Sequence, residues 1–108
     1  MGKLLEGAFV YILRCSDGAY YVGPYRGDDL NVRVAEHNLG HRRKAWTYRR
    51  RPVELVWSDH FNRYTDAIAC ERQLKGWSRA KKEALIAGDY EALRRLARSR
   101  SDKRNPSS

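Results

Sequence analysis

The feature that most limits how this chain can fold lies near its start, where two β-forming runs flank an Asp-Gly pair. Phe9-Val10-Tyr11-Ile12-Leu13-Arg14 is rich in β-branched and aromatic residues, which suit a pleated, half-buried surface. Ser16-Asp17-Gly18 follows, and Asp-Gly is a strong hairpin signal because both residues tolerate positive φ. Ala19-Tyr20-Tyr21-Val22-Gly23 then reads as the returning strand. The chain therefore begins with an antiparallel hairpin carrying three tyrosines, Tyr11, Tyr20 and Tyr21. A lone hairpin is not stable in water, so later elements must cover it.

Those elements follow in a readable order. Pro24 to Asp29 is a polar loop, with Asp28 or Asp29 placed to cap a helix over about residues 30–39. Gly40 suits its left-handed end. Residues 42–51 read as a loop or short helix before Pro52, and Val53-Glu54-Leu55-Val56-Trp57 as a third strand running on towards Phe61. A helix is expected from about Thr65 to Lys75, broken by Gly76. Ser78 caps another over 79–87 that Gly88 ends, and Asp89 starts a last one to Arg98. Residues 99–108 lack apolar periodicity and read as a disordered basic tail. The order ββαβααα implies a mixed α/β fold, a small three-stranded antiparallel sheet flanked by helices. A length of 108 residues fits one domain, here 1–98 with its core over about 9–87.

Composition narrows the function classes. A hydrophobic share of 42% with 11% aromatic excludes a chain disordered throughout. No apolar run approaches the roughly 18–20 residues of a membrane span. Residues 1–8 show no apolar signal region, so the expected location is cytoplasmic. Cys15 and Cys70 lie far apart in apolar surroundings and form no CxxC pair, which reads as two buried thiols. Lys and Arg number 22 against 13 Asp and Glu, a net charge of +9. That excess favours a nucleic-acid partner through phosphate contacts and counterion release.

The charge is clustered. Arg42, Arg43, Lys44, Arg49, Arg50 and Arg51 surround Trp46 and Tyr48, which suits phosphate contacts plus base stacking. The same stretch also reads as a solvated loop whose aromatics cap the core. Lys75, Trp77, Arg79, Lys81 and Lys82 form a second basic cluster, in which Trp77 fits core packing where the helix turns.

Three residues stand out on helix faces. Glu71 shares a stripe with Ala67, Cys70 and Leu74 at helical spacing. A carboxylate there must be paired, hydrogen-bonded or metal-bound, because burying it alone is costly. Spacing alone favours a structural salt bridge to a nearby Arg. Arg33 and His37 stack four residues apart, ordinarily a solvated face, and strand tyrosines ordinarily pack.

The combination is far more specific than its parts. Val10-Tyr11, Tyr21-Val22-Gly23 about ten residues on, then Arg33, His37 and Glu71, resemble the GIY-YIG nuclease superfamily. Glu36-His37-Asn38 is similar to the family's helix, and the stretch 51–57 to its third strand. Residues 67–86 are especially similar to its small stand-alone branch, and the resemblance covers about Phe9 to Ile86. The chain departs from the pattern in three places. The first motif lacks its leading Gly, Pro24 and Tyr25 replace the usual Ser or Thr, and the loop through Arg26-Gly27-Asp28-Asp29 is longer.

The resemblance implies a metal-dependent endonuclease hydrolysing phosphodiester bonds in DNA, acting in repair or on irregular DNA structures. It implies Tyr11 as general base, with Tyr21 beside it to position water or phosphate. Arg33 would donate a charged fork to phosphate. Glu71 would hold one divalent ion, Mg²⁺ or Mn²⁺, completed by phosphate oxygens and water. His37 would orient the tyrosine or touch phosphate, and Gly23 would admit close backbone approach of substrate. Asn38, Lys75 and the basic stretch from Arg42 to Arg51 are the remaining substrate-binding candidates. A catalytically weak binding module on the same scaffold, directed to DNA or RNA, is the alternative. The expected partner is nucleic acid, DNA rather than RNA, with no membrane, and the sequence sets no oligomeric state.

Overall fold

The computed structural model describes residues 7–41 and 43–104, with side chains through Arg98. Strands β1 (Ala8–Arg14), β2 (Tyr20–Tyr25) and β3 (Glu54–Phe61) form one sheet in the order β2-β1-β3. Both pairings are antiparallel. Helices α1 (Leu30–Leu39), α2 (Tyr64–Lys75), α3 (Arg79–Ala87) and α4 (Tyr90–Arg104) complete the fold, with a short 3₁₀ turn at Tyr48–Arg50. The mixed α/β expectation holds. The contacts group the chain into two compact units that meet in sequence at Lys75 and Gly76, inside the stretch expected to form one domain.

In the first unit, β1 is central and buried on both faces. Tyr11, Leu13 and Cys15 point one way and form a cluster with Leu30 of α1 and Val53. Val10 and Ile12 point the other way and are equally buried, so an apolar run without polar alternation suits this strand. Register places Tyr11 opposite Gly23 and Leu13 opposite Tyr21, so these four residues share the face that α1 covers. Helix α2 contacts all three strands and buries Ala67 and Leu74. The pairing of β1 with β3 slips between Ile12 and Leu13, leaving Val56 as the extra residue of a bulge.

Local chemistry explains the boundaries. The Asp29 carboxylate accepts from the Asn31 N–H, and Gly40 ends α1 at φ 76°, where its N–H reaches the Glu36 and His37 carbonyls. Pro24 is tolerated because β2 is an edge strand.

In the second unit, the Ser78 hydroxyl accepts from the Lys81 N–H to start α3. Gly88, at φ 73°, ends it. Trp77 is half-buried, with Lys81 Nζ 4.5 Å from its ring centroid, which supports the packing reading of that tryptophan. Helix α4 continues to Arg104, six residues past the expected end. The segment 99–104 has neither Gly nor Pro to stop it, and Pro106 is the next breaker. Residues 105–108 of the expected tail, like Arg42, lie outside the described residues.

Candidate active site

The covered face of the first unit gathers the predicted aromatic and basic residues. Tyr11 projects from the central strand and is 1% exposed. Its Oη lies 3.2 Å from Nε2 of His37, the buried residue of the last turn of α1. His37 Nδ1 lies in turn 2.8 Å from the hydroxyl of Thr47, itself fully buried. Tyr21 stands beside both rings, its centroid 6.2 Å from Tyr11 and 5.5 Å from His37. Trp46 stacks on Tyr21 at 6.2 Å with an interplanar angle of 23° and keeps 45% of its surface exposed.

Gly23 is required here by space. A Cβ at that position would sit 3.0 Å from Tyr11 Oη and 2.8 Å from Tyr21 Cε2, closer than packed atoms allow. Its missing side chain is what lets the two phenols stand together. Arg33 lies one turn before His37, with its guanidinium 4.8 Å from the Tyr25 ring centroid. Its Nε is buried without a hydrogen bond, the nearest acid being Glu36 Oε1 at 3.5 Å. Such an unsatisfied charged donor is costly and is suited to an incoming anion. Tyr25, noted in the sequence only as a departure, is the surface that holds Arg33.

Glu71 is 8% exposed and carries an ion pair with Lys75 Nζ at 2.5 Å, one helical turn on. The expected partner was an Arg; the i,i+4 spacing supplies a lysine instead. No hydrogen bond among the described residues joins Glu71 to Tyr11, Tyr21 or Arg33. Nor do the described residues contain a group of three or more His, Cys, Asp or Glu able to cage a metal. Glu71 nonetheless suits an ion held mainly by substrate and water. It is a hard oxygen donor with restricted solvent access, and its lysine side chain is 55% exposed and displaceable.

The basic stretch divides. Arg51 donates from Nε to the Tyr48 carbonyl at 2.8 Å and from Nη1 to the Asn38 carbonyl at 3.2 Å. Arg50 donates to the Trp46 carbonyl at 3.0 Å, contacts Asp17 at 3.0 Å and lies 3.9 Å from the Trp46 ring centroid. Asn38 is engaged as well: its amide donates to the Val53 carbonyl at 3.0 Å and its Oδ1 accepts from the Val53 N–H at 2.7 Å. These three expected substrate contacts are thus committed to internal structure. Arg43, Lys44 and Arg49 are exposed. The Tyr48 phenol is drawn below its ordinary range, first by its hydrogen bond to Arg43 and then by the charges of Arg43 and Arg51.

The cysteines also differ from each other. Cys15 is buried as expected, whereas Cys70 is only half-buried, because its position on α2 falls at the edge of the apolar stripe. Burial pushes both thiols up, reinforced by Asp17 at Cys15 and by Asp59 and Glu71 at Cys70. Thr47 is the one site residue that the sequence reading passed over entirely. A threonine between two aromatics inside a basic run carries no local mark of burial.

This arrangement of paired strand tyrosines, a helix Arg and His, and a later Glu coincides with a family match. The chain belongs to the GIY-YIG family: the model described as the GIY-YIG catalytic domain matches residues 7–84. That is a nuclease-type family, and its nucleases generally use divalent metal ions. Among relatives, the chain is 40% identical over 82 residues to UPF0213 proteins of Staphylococcus aureus strains Mu3 and Mu50. Those alignments cover 76% of this chain and 96% of each relative. A solution NMR structure of a UPF0213 protein from Bacillus halodurans is 34% identical, with a TM-score of 0.49, covering 77% of this chain and 85% of that one. No helix of the described residues is long and apolar enough to cross a membrane.

Proposed function

We propose that this protein is a divalent-metal-dependent endonuclease that hydrolyses phosphodiester bonds in DNA. The observation that carries this reading is the buried contact of Tyr11 Oη with His37 Nε2 at 3.2 Å, on the face where Gly23 lets Tyr21 stand alongside. A phenol so placed is held in one geometry, as a general base must be. In hydrolysis the Tyr11 oxygen, as phenolate, takes a proton from the attacking water as that water's oxygen bonds to phosphorus; the bond from phosphorus to the leaving oxygen breaks, and solvent water protonates the leaving oxygen. Tyr21 orients water or the phosphate. Arg33 supplies a permanent charge and an unsatisfied Nε donor to the phosphate oxygens. Glu71 would hold the metal, which stabilises charge on the phosphoryl group when bound. Exposed Arg43, Lys44 and Arg49 add sequence-independent attraction along the backbone, and Trp46 offers a ring for an unpaired base.

The Glu71–Lys75 pair is the observation that favours a second reading, a nucleic-acid-binding module without cleavage. A cleavage screen separates the two. Single-stranded, nicked, flapped and branched DNA and RNA are each incubated with Mg²⁺, Mn²⁺ or EDTA. The endonuclease reading expects scission of a DNA substrate that EDTA stops. Binding without scission on every substrate selects the module.

A further inference from the structure

We propose that Tyr25 is a positioning residue for Arg33, seated by the lengthened loop that follows it. The proposal rests on the reading of Arg33 as a phosphate donor and adds what aims that donor. Pro24, Tyr25 and the loop Arg26-Gly27-Asp28-Asp29 are where this chain departs from the family pattern, and the proposed chemistry gives that loop no role. Tyr25 closes β2, and register sets it opposite Phe9, two residues beyond Gly23 on the face that α1 covers. Its half-buried ring packs against the cluster that contains Tyr11 and Leu30. The Arg33 guanidinium, from α1, lies over that ring, its central carbon 4.8 Å from the centroid.

Gly27 shows how the ring is held. A Cβ there would run into the Tyr25 phenol, whose Oη, Cζ and Cε1 are the nearest atoms. The Gly27 backbone does not lie in the left-handed region, which among the described glycines Gly18, Gly40 and Gly88 occupy. Space for the phenol is thus what calls for glycine at this position. The loop folds back onto the phenol end of the ring whose face carries Arg33.

The competing partner is on the same helix. Glu36 follows Arg33 by three residues, and its Oε1 is 3.5 Å from Arg33 Nε without forming a hydrogen bond. A guanidinium held over a ring is attracted through its charge and keeps its N–H donors for other acceptors. Without the ring, the i,i+3 spacing lets Glu36 close on the Nε–H and occupy it. Tyr25 thus keeps a buried donor open for a phosphate oxygen. The donor's lack of a hydrogen bond in the free protein is the mark of that role.

The test follows the Arg33 Nε–H of the full chain by ¹H–¹⁵N NMR in EDTA, assigned by its loss in Arg33→Lys, with a short oligothymidylate as probe. In the wild type the free signal should lie upfield, in the ring current of Tyr25, and move downfield as the oligonucleotide binds. Tyr25→Phe keeps the ring and should behave alike. In Tyr25→Leu, and in Gly27→Ala, which displaces the phenol, the response to DNA should be lost and kcat lowered about tenfold. Adding Glu36→Gln to Tyr25→Leu should restore most of both, a rescue that lost packing alone cannot give. A wild-type response in Tyr25→Leu, or no rescue by Glu36→Gln, overturns the proposal. A wild-type signal unmoved by the oligonucleotide overturns it too, by removing Arg33 from the phosphate. The spectra need no scission, so they decide the proposal even if the protein cleaves nothing. Equal cleavage by wild type and Tyr25→Leu sinks the proposal and spares the nuclease reading. Should the leucine variant fail to fold, Gly27→Ala, alone and with Glu36→Gln, decides.

Discussion

The two halves of the candidate site are built in opposite ways. Tyr11, His37 and Thr47 are 1%, 4% and 1% exposed and joined by hydrogen bonds, so their geometry is set by the core itself. Glu71 is nearly as buried, but its partner Lys75 leaves 55% of its side chain in solvent, on the same helix. An i,i+4 pair of this kind contributes only about 0.2–0.5 kcal/mol in isolated helices. The comparison teaches a division of labour. On the proposed reading, the half that would accept the proton is held by the core before substrate arrives, and the acidic half would exchange its lysine for a metal ion.

The sharpest way to break this comparison is Glu71→Gln. We expect no detectable cleavage, while thermal unfolding followed by circular dichroism and DNA affinity stay near wild type. A variant that unfolds, beside a wild type that binds no metal, would make the acidic half purely structural. Tyr11→Phe keeps the ring and loses the hydroxyl, so kcat should fall by about 10²–10⁴ with folding retained. Undiminished single-turnover rates in this variant would remove Tyr11 from the chemistry.

Gly23→Ala probes the tight half differently. Its added methyl meets Tyr11 Oη and Tyr21 Cε2, so denaturant midpoints should report a loss of about 1–3 kcal/mol, accompanied by reduced cleavage. Unaltered stability would show that the tyrosines have room to give. The smallest effect concerns binding alone. Replacing Arg43, Lys44 and Arg49 with Ala should flatten the slope of log affinity against log salt by about two to three units on duplex DNA. Stability should hold, and a constant slope would remove these cations from the binding surface. Arg51→Ala should do the reverse, lowering the melting temperature with little change in slope, because its donors serve backbone carbonyls.

What the sequence revealed follows the range of the interactions involved. The hairpin was legible because Asp17-Gly18 and the flanking β-branched residues act locally. The caps Asp29, Gly40, Ser78 and Gly88 were legible for the same reason. Tyr11, Tyr21, Arg33 and His37 were found through a pattern of types and spacings, and the structure brings them to one face. Thr47 was hidden because its importance lies in a contact with His37, ten residues away, and beyond it with Tyr11. Charge runs were misleading in part. Arg50 and Arg51 look identical to Arg49 in sequence, yet their partners are Asp17 and carbonyls that only the fold delivers. The bulge at Val56 likewise depends on a neighbouring strand that local propensity does not encode, whereas Lys75, one turn after Glu71, was within reach of a purely local reading.

The stretch from Arg43 to Arg51 is fastened at several points. Arg51 grips the Asn38 carbonyl, and Thr47 holds His37. The Arg50 carbonyl accepts from the Ser16 N–H at 2.9 Å, tying the stretch to the β-hairpin turn. Immobilising a flexible residue costs about 1–2 kcal/mol of backbone conformational entropy. A loose basic tail would incur that cost each time it gripped a polyanion, whereas here it has been met during folding. If this stretch meets phosphate as proposed, that attraction would translate into affinity with little lost to ordering.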